Sequence, residues 1–375
     1  MKFLLPALAL FIQSPQPDAE GEAAALVQAV AEAYELHAEA AAELERMGAA
    51  IRFRQEFVDR HESDEETGRA FVDILWAGEE GERGQARQRR ATDIAAAIDF
   101  DTLLDTTPGA AWLAIEILRR SGEGETRATM LSLLDGLARQ GGYQSDYYAM
   151  QVAGYTPAGE DGAETEEAPP PTPPGAEARA AAQRLAEAYR RDRQTWWPIV
   201  AAIAEMRGRE QYVRWLLIEV LARDLDPQVR EIYQERIDDV LAPVDTANTE
   251  RVLEIFETVD FAELNSVSPY AAEEAIGILH HSNDLGVMKQ TLALIEPAAL
   301  AGEFRRQRYA LLYDRVAMNE GRPQRYGSQG TCIDGRQDIY EIENPETVDE
   351  RRAEMGLEPL ADYRASLIEM YGPDC

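Results

Sequence analysis

Residues 94–149 read IAAAIDFDTLLDTTPGAAWLAIEILRRSGEGETRATMLSLLDGLARQGGYQSDYYA, and residues 255–310 read IFETVDFAELNSVSPYAAEEAIGILHHSNDLGVMKQTLALIEPAALAGEFRRQRYA. The two stretches align without a gap, and positions with identical residues are distributed along the whole alignment. The shared pairs include Asp99 with Asp260, Phe100 with Phe261, Pro108 with Pro269, Ser121 with Ser282, Gly141 with Gly302, and Tyr148-Ala149 with Tyr309-Ala310. Farther upstream, Ala31-Glu32-Ala33-Tyr34 recurs as Ala186-Glu187-Ala188-Tyr189. The alignment predicts a tandem duplication that spans nearly a whole domain.

Each copy has the periodicity of α-helices. In the first, Pro108 suits the first turn of a helix and Gly141 a helix end. Apolar residues from Leu26 to Leu44 recur at steps of three and four, which predicts a helix that Gly48 terminates. The second copy has Pro198 in the corresponding region, where proline is expected to end or kink a helix. No segment before residue 326 alternates with period two, so we predict an all-α fold of two tandem helical bundles or helical-repeat-like domains.

A C-terminal extension is predicted in the second copy alone. Asp334-Gly335 is a strong two-residue turn for a β-hairpin, with strands within residues 326–333 and 336–342. Asn344-Pro345 favours the start of a short helix, and apolar residues from Leu360 to Met370 predict a last one. Residues 323–375 should therefore form a small hairpin and two short helices that pack on the second copy.

The remaining boundaries follow from composition. Residues 157–175 are rich in proline and acidic residues and contain no basic residue. Such a segment cannot bury a core and is expected to be an extended linker. We therefore assign residues 20–156 to a first, degenerate helical copy and residues 176–322 to the second.

The N-terminus has the pattern of a secretory signal peptide. Lys2 is followed by an apolar run from Phe3 to Ile12, which is too short to span a bilayer. We place the signal at residues 1–19 and expect a periplasmic or secreted protein that does not insert into the membrane after signal removal. The formal net charge of -32 opposes binding to nucleic acid, because phosphate backbones are anionic.

The cysteine count fits an oxidising compartment. Cys332 and Cys375 are the only two cysteines. An even number in an exported chain is most simply explained by one disulfide between them. Two free thiols are the weaker alternative, since no neighbouring basic cluster activates either one.

Several polar motifs near the C-terminus carry a family resemblance. They are His281-Ser282-Asn283-Asp284, Asp314-Arg315, Gln324-Arg325-Tyr326-Gly327-Ser328-Gln329, and Arg351-Arg352 followed by Gly356-Leu357. Residues 275–365 resemble an uncharacterised bacterial family known only as a domain of unknown function. Ser328 replaces the threonine usual in that family and keeps the hydroxyl. The resemblance implies which residues matter but no reaction. The candidate functional residues are His281, Asp284, Asp314, Arg315, Gln324, Tyr326, Gln329, Arg351 and Arg352.

The same residues allow both functional and structural interpretations. On one helix, His281 and Asp284 would share a face, so the carboxylate could orient the imidazole, or both could hold a metal. The histidine could equally be a residue at a helix C-terminus, which the dipole favours. Gln324, Tyr326 and Gln329 could contact a polar ligand, or they could satisfy buried backbone where the hairpin joins the helices.

Three hypotheses follow for function. The leading one is an exported helical module of the cell envelope that binds a protein or a small polar ligand. The alternative is an enzyme, with His281 as base or metal ligand and with Arg315 and the Gln324–Gln329 loop holding substrate. The third is a purely structural role for these residues. No residue set has the spacing of a known metal or cofactor motif, and we predict neither.

Overall fold

The computed structural model describes residues 19–61, 63–77, 173–221, 225–333 and 335–371. Over these ranges it consists of α-helices, one short 3-10 helix and a single two-stranded antiparallel sheet near the C-terminus. The all-α fold with a C-terminal hairpin is therefore confirmed.

The elements follow one another along the chain with short connections. The helices are α1 (Ala19–Arg60), α2 (Glu65–Ala77), α3 (Ala176–Leu221), α4 (Pro227–Arg236), α5 (Asp238–Phe256), α6 (Phe261–Val267), α7 (Pro269–His280), α8 (Leu285–Ala301) and α9 (Arg306–Asn319). They are followed by β1 (Gly330–Ile333), β2 (Arg336–Ile339), the 3-10 helix Pro345–Thr347, α10 (Val348–Glu354) and α11 (Leu360–Tyr371).

The chain divides into two compact units. The larger unit comprises Met1–Ala42 and Ile199–Cys375, and the smaller unit comprises Glu43–Pro198. Helices α1 and α3 contribute residues to both.

The smaller unit has an aromatic core. Phe53, Phe57 and Phe71 are fully buried, and Tyr189 is nearly so. The ring of Tyr189 meets those of Phe57 and Phe71 edge to face, at centroid distances of 5.2 and 5.6 Å. Edge-to-face pairs of this kind add to the stabilisation from apolar burial. The aromatic residues of α1, α2 and α3 thus form one packed cluster.

The first core of the larger unit lies between α1, α3 and α4. Its buried members are Ala23, Leu26, Val30, Ala41, Tyr212, Val213, Leu216, Leu217, Val220, Val229 and Tyr233. These residues recur at helical spacing, so each helix buries one apolar stripe. At Gly208, α3 approaches α1 so closely that an added Cβ would lie 2.5 Å from the backbone oxygen of Ala41. A glycine is therefore required at this crossing.

Helix α7 is the central element of the remaining helices. It contacts α5, α6, α8 and α9, and most of its residues are buried. Ser268 caps its start by accepting a hydrogen bond from the Ala271 amide, and Pro269 occupies its first turn. The C-terminal end of α7 carries two consecutive half-buried histidines, His280 and its C-cap His281.

Helix boundaries within residues 225–333 follow the expected capping rules. Asp226 and Asp260 cap α4 and α6 with their side chains. Gly302 ends α8 in the left-handed conformation with φ of 80°. A helix end was predicted at Gly141, the residue that aligns with Gly302. Gly335 has φ of 76° in the hairpin turn, which confirms the predicted site of chain reversal.

The predicted helix end at Gly48 is wrong. Gly48 lies inside α1, which continues to Arg60. Gly48 is buried, and the apolar stripe continues beyond it to Phe53 and Phe57. Packing of this stripe overrides the modest cost of glycine within a helix. Helix α3 continues through Pro198 to Leu221, so of the two expected effects this proline does not end the helix.

Several sequence predictions concern residues outside the described ranges. They include the signal peptide, the first repeat at residues 94–149, most of the acidic linker, and Cys375, the predicted disulfide partner of Cys332 on β1. The tandem duplication, the domain boundaries and the disulfide therefore stay predictions. Among the described helices, none combines the length and apolarity needed to cross a bilayer.

Candidate functional site

Asp314 on α9 organises the loop Gln324–Gln329, which we call the Gln loop. The Asp314 side chain has no solvent exposure. One carboxylate oxygen accepts hydrogen bonds from the backbone amides of Arg325 and Tyr326, at 2.8 and 3.0 Å, and the other accepts from the amide of Ser328 at 2.9 Å. Burial raises the pKa of Asp314, and the three amide donors oppose that shift. Both oxygens of Asp314 are thus used to hold the loop.

The two glutamines of the Gln loop close it on itself. Gln324 donates to the carbonyl oxygens of Gln329 and Tyr340 at 3.1 and 3.2 Å, and its own side-chain oxygen accepts from the Gln329 amide at 2.6 Å. The Gln329 side chain donates to the carbonyl of Leu311 and the hydroxyl of Ser328. Both amides serve the polypeptide backbone where the hairpin joins the helices, which was one of the two roles expected from the sequence.

Arg351 and Arg352 hold the same loop from α10. Arg352 is 1% exposed and donates to the carbonyl oxygens of Glu358, Tyr326 and Gly327, at 2.6, 2.7 and 3.2 Å. Arg351 donates to the carbonyls of Arg325, Glu343 and Asn344. Tyr326 is buried and packs edge to face against Tyr313. The structure brings these residues together as a framework for the Gln loop.

His281 and Asp284 do not lie on one helix. Helix α7 ends at His280, and His281 is its C-cap. This position agrees with the structural interpretation of His281, a histidine at the C-terminus of a helix. Asp284 caps the next helix, α8, by accepting from the amides of Gly286 and Val287 at 2.6 and 3.2 Å. The predicted pairing of this imidazole with Asp284 is therefore wrong, because the chain turns between the two residues.

The partner of His281 is Glu210 on α3. The Nδ1 atom of His281 contacts a carboxylate oxygen of Glu210, which is 1% exposed, whereas the His281 side chain is 25% exposed. Arg207 and Arg214 flank the same carboxylate, at 2.8 and 3.2 Å. Burial alone would raise the pKa of Glu210, but His281, Arg207 and Arg214 together lower it below its usual value. Burial lowers the pKa of His281 to about 4, against the opposing effect of Glu210.

These shifts define the protonation states of the pair near neutral pH. Glu210 is ionised and His281 is neutral, so Nδ1 carries the hydrogen that is donated to Glu210. The other ring nitrogen, Nε2, then has a free lone pair. A buried carboxylate that orients a neutral imidazole in this way is an arrangement suited to accepting a proton.

Asp245 on α5 extends the charge network. Its two carboxylate oxygens lie 2.7 and 2.8 Å from Nη2 of Arg214, and it is 6% exposed. Burial raises the pKa of Asp245 to about 6, although Arg214 lowers it. Arg214 therefore bridges two buried carboxylates, those of Glu210 and Asp245.

Arg315 on α9 lies beside this network. Its Nε is buried and has no hydrogen-bond partner among the described residues. Burial and the neighbouring charge of Arg214 lower its pKa, and it stays protonated at neutral pH because a guanidinium is a very weak acid. Burial, then the charges of His281 and Arg315, lower the pKa of His280 well below its usual value. We call Arg207, Glu210, Arg214, Asp245, His280, His281 and Arg315 the charge cluster.

The comparisons with known proteins concern the C-terminal part of the chain. Residues 230–374 match the model of DUF6624, a family of unknown function. The resemblance to a domain of unknown function is thus confirmed, and the match is wider than residues 275–365. No curated protein and no solved structure matches the chain.

The matched segment, residues 230–374, contains only part of the charge cluster. Asp245, His280, His281 and Arg315 lie within it, whereas Arg207, Glu210 and Arg214 lie on α3, before residue 230. Those three residues of α3, together with Asp245 and His280, were not predicted as site residues. The spacing of Arg207, Glu210 and Arg214, at steps of three and four, was a usable signal because it places all three on one helix face. Their pairing with His281 required the tertiary structure.

No metal site is evident near these residues. Within the described ranges, no group of three His, Cys, Asp or Glu side chains is arranged to hold a metal ion. The charge cluster instead combines guanidinium groups with a neutral histidine pair, which are groups that bind anions and transfer protons.

Proposed function

We propose that this chain is an exported helical module of the cell envelope that binds a small anionic ligand at the charge cluster. The observation that carries the proposal is Arg315, a charged guanidinium whose buried Nε has no acceptor among the described residues. A buried donor left without an acceptor costs about 1–3 kcal/mol, and more for a charged group. A carboxylate, sulfate or phosphate group on a ligand would supply the missing acceptor.

Comparison with other buried or half-buried arginines supports this role. Arg352 donates three hydrogen bonds to backbone carbonyls, and Arg207 and Arg214 are paired with carboxylates. Their donors serve the fold, whereas the Nε of Arg315 has no acceptor among the described residues. The net charge of the whole chain is negative and repels anions, so an anion is expected to bind where guanidinium groups are concentrated, as they are in the charge cluster.

Isothermal titration calorimetry with sulfate at constant ionic strength tests the proposal. We expect saturable binding to the wild-type protein and a loss of at least about tenfold in affinity for Arg315→Gln, since a charged hydrogen bond contributes roughly 1.5–3 kcal/mol. Arg251→Gln is the matched control, because Arg251 is an exposed arginine paired with Glu254 on its own helix. Equal sulfate affinity in the wild-type and Arg315→Gln proteins would contradict an anion site at Arg315.

Export is proposed from Lys2 and the apolar run that follows it. The disulfide between Cys332 and Cys375 is proposed from the cysteine count. Fractionation of the producing cell tests export, because the mature chain should leave the cytoplasm and lose its first residues. Thiol labelling of the purified mature protein before and after reduction tests the disulfide, which predicts label only after reduction.

The contact between Glu210 and His281 favours a second candidate function, an enzyme. The Nε2 atom of neutral His281 would act as a general base on a water or hydroxyl while the anionic part of the substrate binds Arg315. This candidate function assigns no role to the Gln loop, because Asp314, Gln324 and Gln329 hydrogen-bond within the framework of the loop. Hydrolysis assays with aryl phosphate and aryl ester substrates test this alternative. His281→Gln should abolish any turnover, and Glu210→Gln should reduce it, whereas equal turnover in the wild-type and His281→Gln proteins would exclude the dyad.

A further inference from the structure

Arg214 lies between the carboxylates of Glu210 and Asp245, and these two acceptors have different numbers of other partners. Its Nε donates to Glu210 at 3.2 Å, and its Nη2 contacts both oxygens of Asp245. Glu210 also contacts Arg207 and His281. Among the described residues, the hydrogen bonds of the Asp245 side chain go to Arg214 alone. Losing Asp245 as an acceptor would therefore release Nη2 of Arg214, while Glu210 would still hold Nε.

The groups facing Asp245 come from three helices of the larger unit. Glu210 and Arg214 lie on α3 and Arg315 lies on α9, and all three act electrostatically on Asp245. The phenol of Tyr34 on α1 also interacts electrostatically with Asp245. Arg214 and Arg315 are thus two guanidinium groups near a single carboxylate, which can accept from only a few donors at once.

We propose that Asp245 is an internal counter-ion that occupies Arg214, competes with the ligand anion, and sets the affinity of the site. This inference rests on the proposed anion-binding function and adds its regulation. With the Asp245 charge removed, Arg214 joins Arg315 as a second donor to the bound anion. Two guanidiniums on one oxyanion give more charged hydrogen bonds than one.

The proposal predicts tighter anion binding in mildly acidic solution. Burial raises the pKa of Asp245 to about 6, so this carboxylate gains a proton as the pH falls from 8 to 5. The pKa of His281 is lowered to about 4 and that of His280 lies well below its usual value, so both stay neutral over most of that range. Glu210 stays ionised because its pKa is lowered. Asp245 is therefore the member of the charge cluster that titrates in this interval.

Sulfate is the appropriate probe because its charge is constant between pH 5 and 8. We expect the sulfate Kd of the wild-type protein to fall about tenfold from pH 8 to pH 5, equivalent to ~1.4 kcal/mol. Asp245→Asn should bind sulfate about tenfold tighter than wild type at pH 8 and should show little further change with pH. The matched control is Asp239→Asn, an exposed aspartate on the same helix, which should reproduce the wild-type profile.

The outcomes separate this inference from the proposed function. Wild-type binding that is lost in Arg315→Gln but does not change with pH would overturn the counter-ion role and leave the anion site in place. Asp245→Asn binding no tighter than wild type at pH 8 would overturn it as well. If neither wild type nor Asp245→Asn binds sulfate at any pH, both the anion site and its regulation fail. The wild-type pH profile needs no variant, so it decides the question even if Asp245→Asn does not fold.

Discussion

Replacement of Asp314 by asparagine should destabilise the larger unit without affecting anion binding. The carboxylate accepts three backbone amide hydrogen bonds from the Gln loop at 2.8–3.0 Å and is fully buried. Asparagine keeps one oxygen, which can still accept from the Arg325 and Tyr326 amides. Its NH₂ group then faces the amide of Ser328, where two donors oppose each other.

The magnitude follows from the lost interactions. One charge-assisted hydrogen bond contributes roughly 1.5–3 kcal/mol, and a buried amide left without an acceptor costs roughly 1–3 kcal/mol. We therefore expect the free energy of unfolding to fall by about 3–5 kcal/mol. For a unit of this size each kcal/mol lowers Tm by about 2–4 °C, so Tm should fall by roughly 10 °C.

Urea denaturation followed by circular dichroism measures this change, and amide hydrogen exchange at residues 325–328 locates it. Asp284→Asn is the matched control, because Asp284 caps α8 at an exposed position and asparagine is an equally good N-cap. Its unfolding free energy should change by less than about 0.5 kcal/mol. If Asp314→Asn is as stable as wild type but no longer binds sulfate, the assignment of Asp314 to the framework of the loop is refuted.

Three further predictions concern stability. Gly208→Ala should lower the unfolding free energy by about 1–3 kcal/mol in urea denaturation, because the new Cβ would lie 2.5 Å from the Ala41 oxygen. Arg352→Met should cost about 3–5 kcal/mol by the same measurement, since three backbone carbonyls, two of them buried, lose their donor. Burial lowers the pKa of His281 from 6.5 to about 4, so the unfolded chain binds the proton first as the pH falls. The stabilisation that neutral His281 provides is therefore present above about pH 6.5, and the stability difference between wild type and His281→Asn should shrink by roughly 2–3 kcal/mol between pH 7 and pH 4.

Each of these predictions has a control. Gly68→Ala serves for Gly208→Ala, because a Cβ there would meet only the Ser63 hydroxyl at 3.7 Å. Arg364→Met serves for Arg352→Met, since the Arg364 side chain is half exposed. For His281, taking the difference between the two proteins cancels the titration of groups that they share, and a difference independent of pH would contradict a lowered pKa. Unchanged stability in Gly208→Ala or Arg352→Met would show that the crossing or the loop tolerates the loss.

Local sequence signals predicted much of the second copy. Pro269, Gly302 and the Asp334-Gly335 turn marked a helix start, a helix end and a chain reversal, because φ restriction and φ freedom act within a few residues. The helix end predicted at Gly48 was wrong. The preference of glycine against a helix interior is modest, and burial of the apolar stripe that continues along α1 outweighs it.

The nine candidate site residues were divided by the tertiary structure. Asp314, Gln324, Gln329, Arg351 and Arg352 were recognised together, and they do meet, but their polar atoms hold the backbone of the Gln loop. His281 and Arg315 belong instead to the charge cluster. A motif in sequence cannot distinguish these roles, because an amide or a guanidinium that binds backbone has the same chemistry as one that binds a ligand.

The sequence by itself determined the helical class, the positions of the caps and the hairpin, and the residues of the C-terminal segment that carry polar chemistry. These depend on interactions within about one helical turn or one β-turn. Only the tertiary structure decided that His281 pairs with Glu210 rather than Asp284, and that Arg214 bridges Glu210 and Asp245. The physical reason is that the charge cluster joins four helices far apart in sequence, and the pKa and partner of each group depend on what the packing of α3, α5, α7 and α9 places beside it.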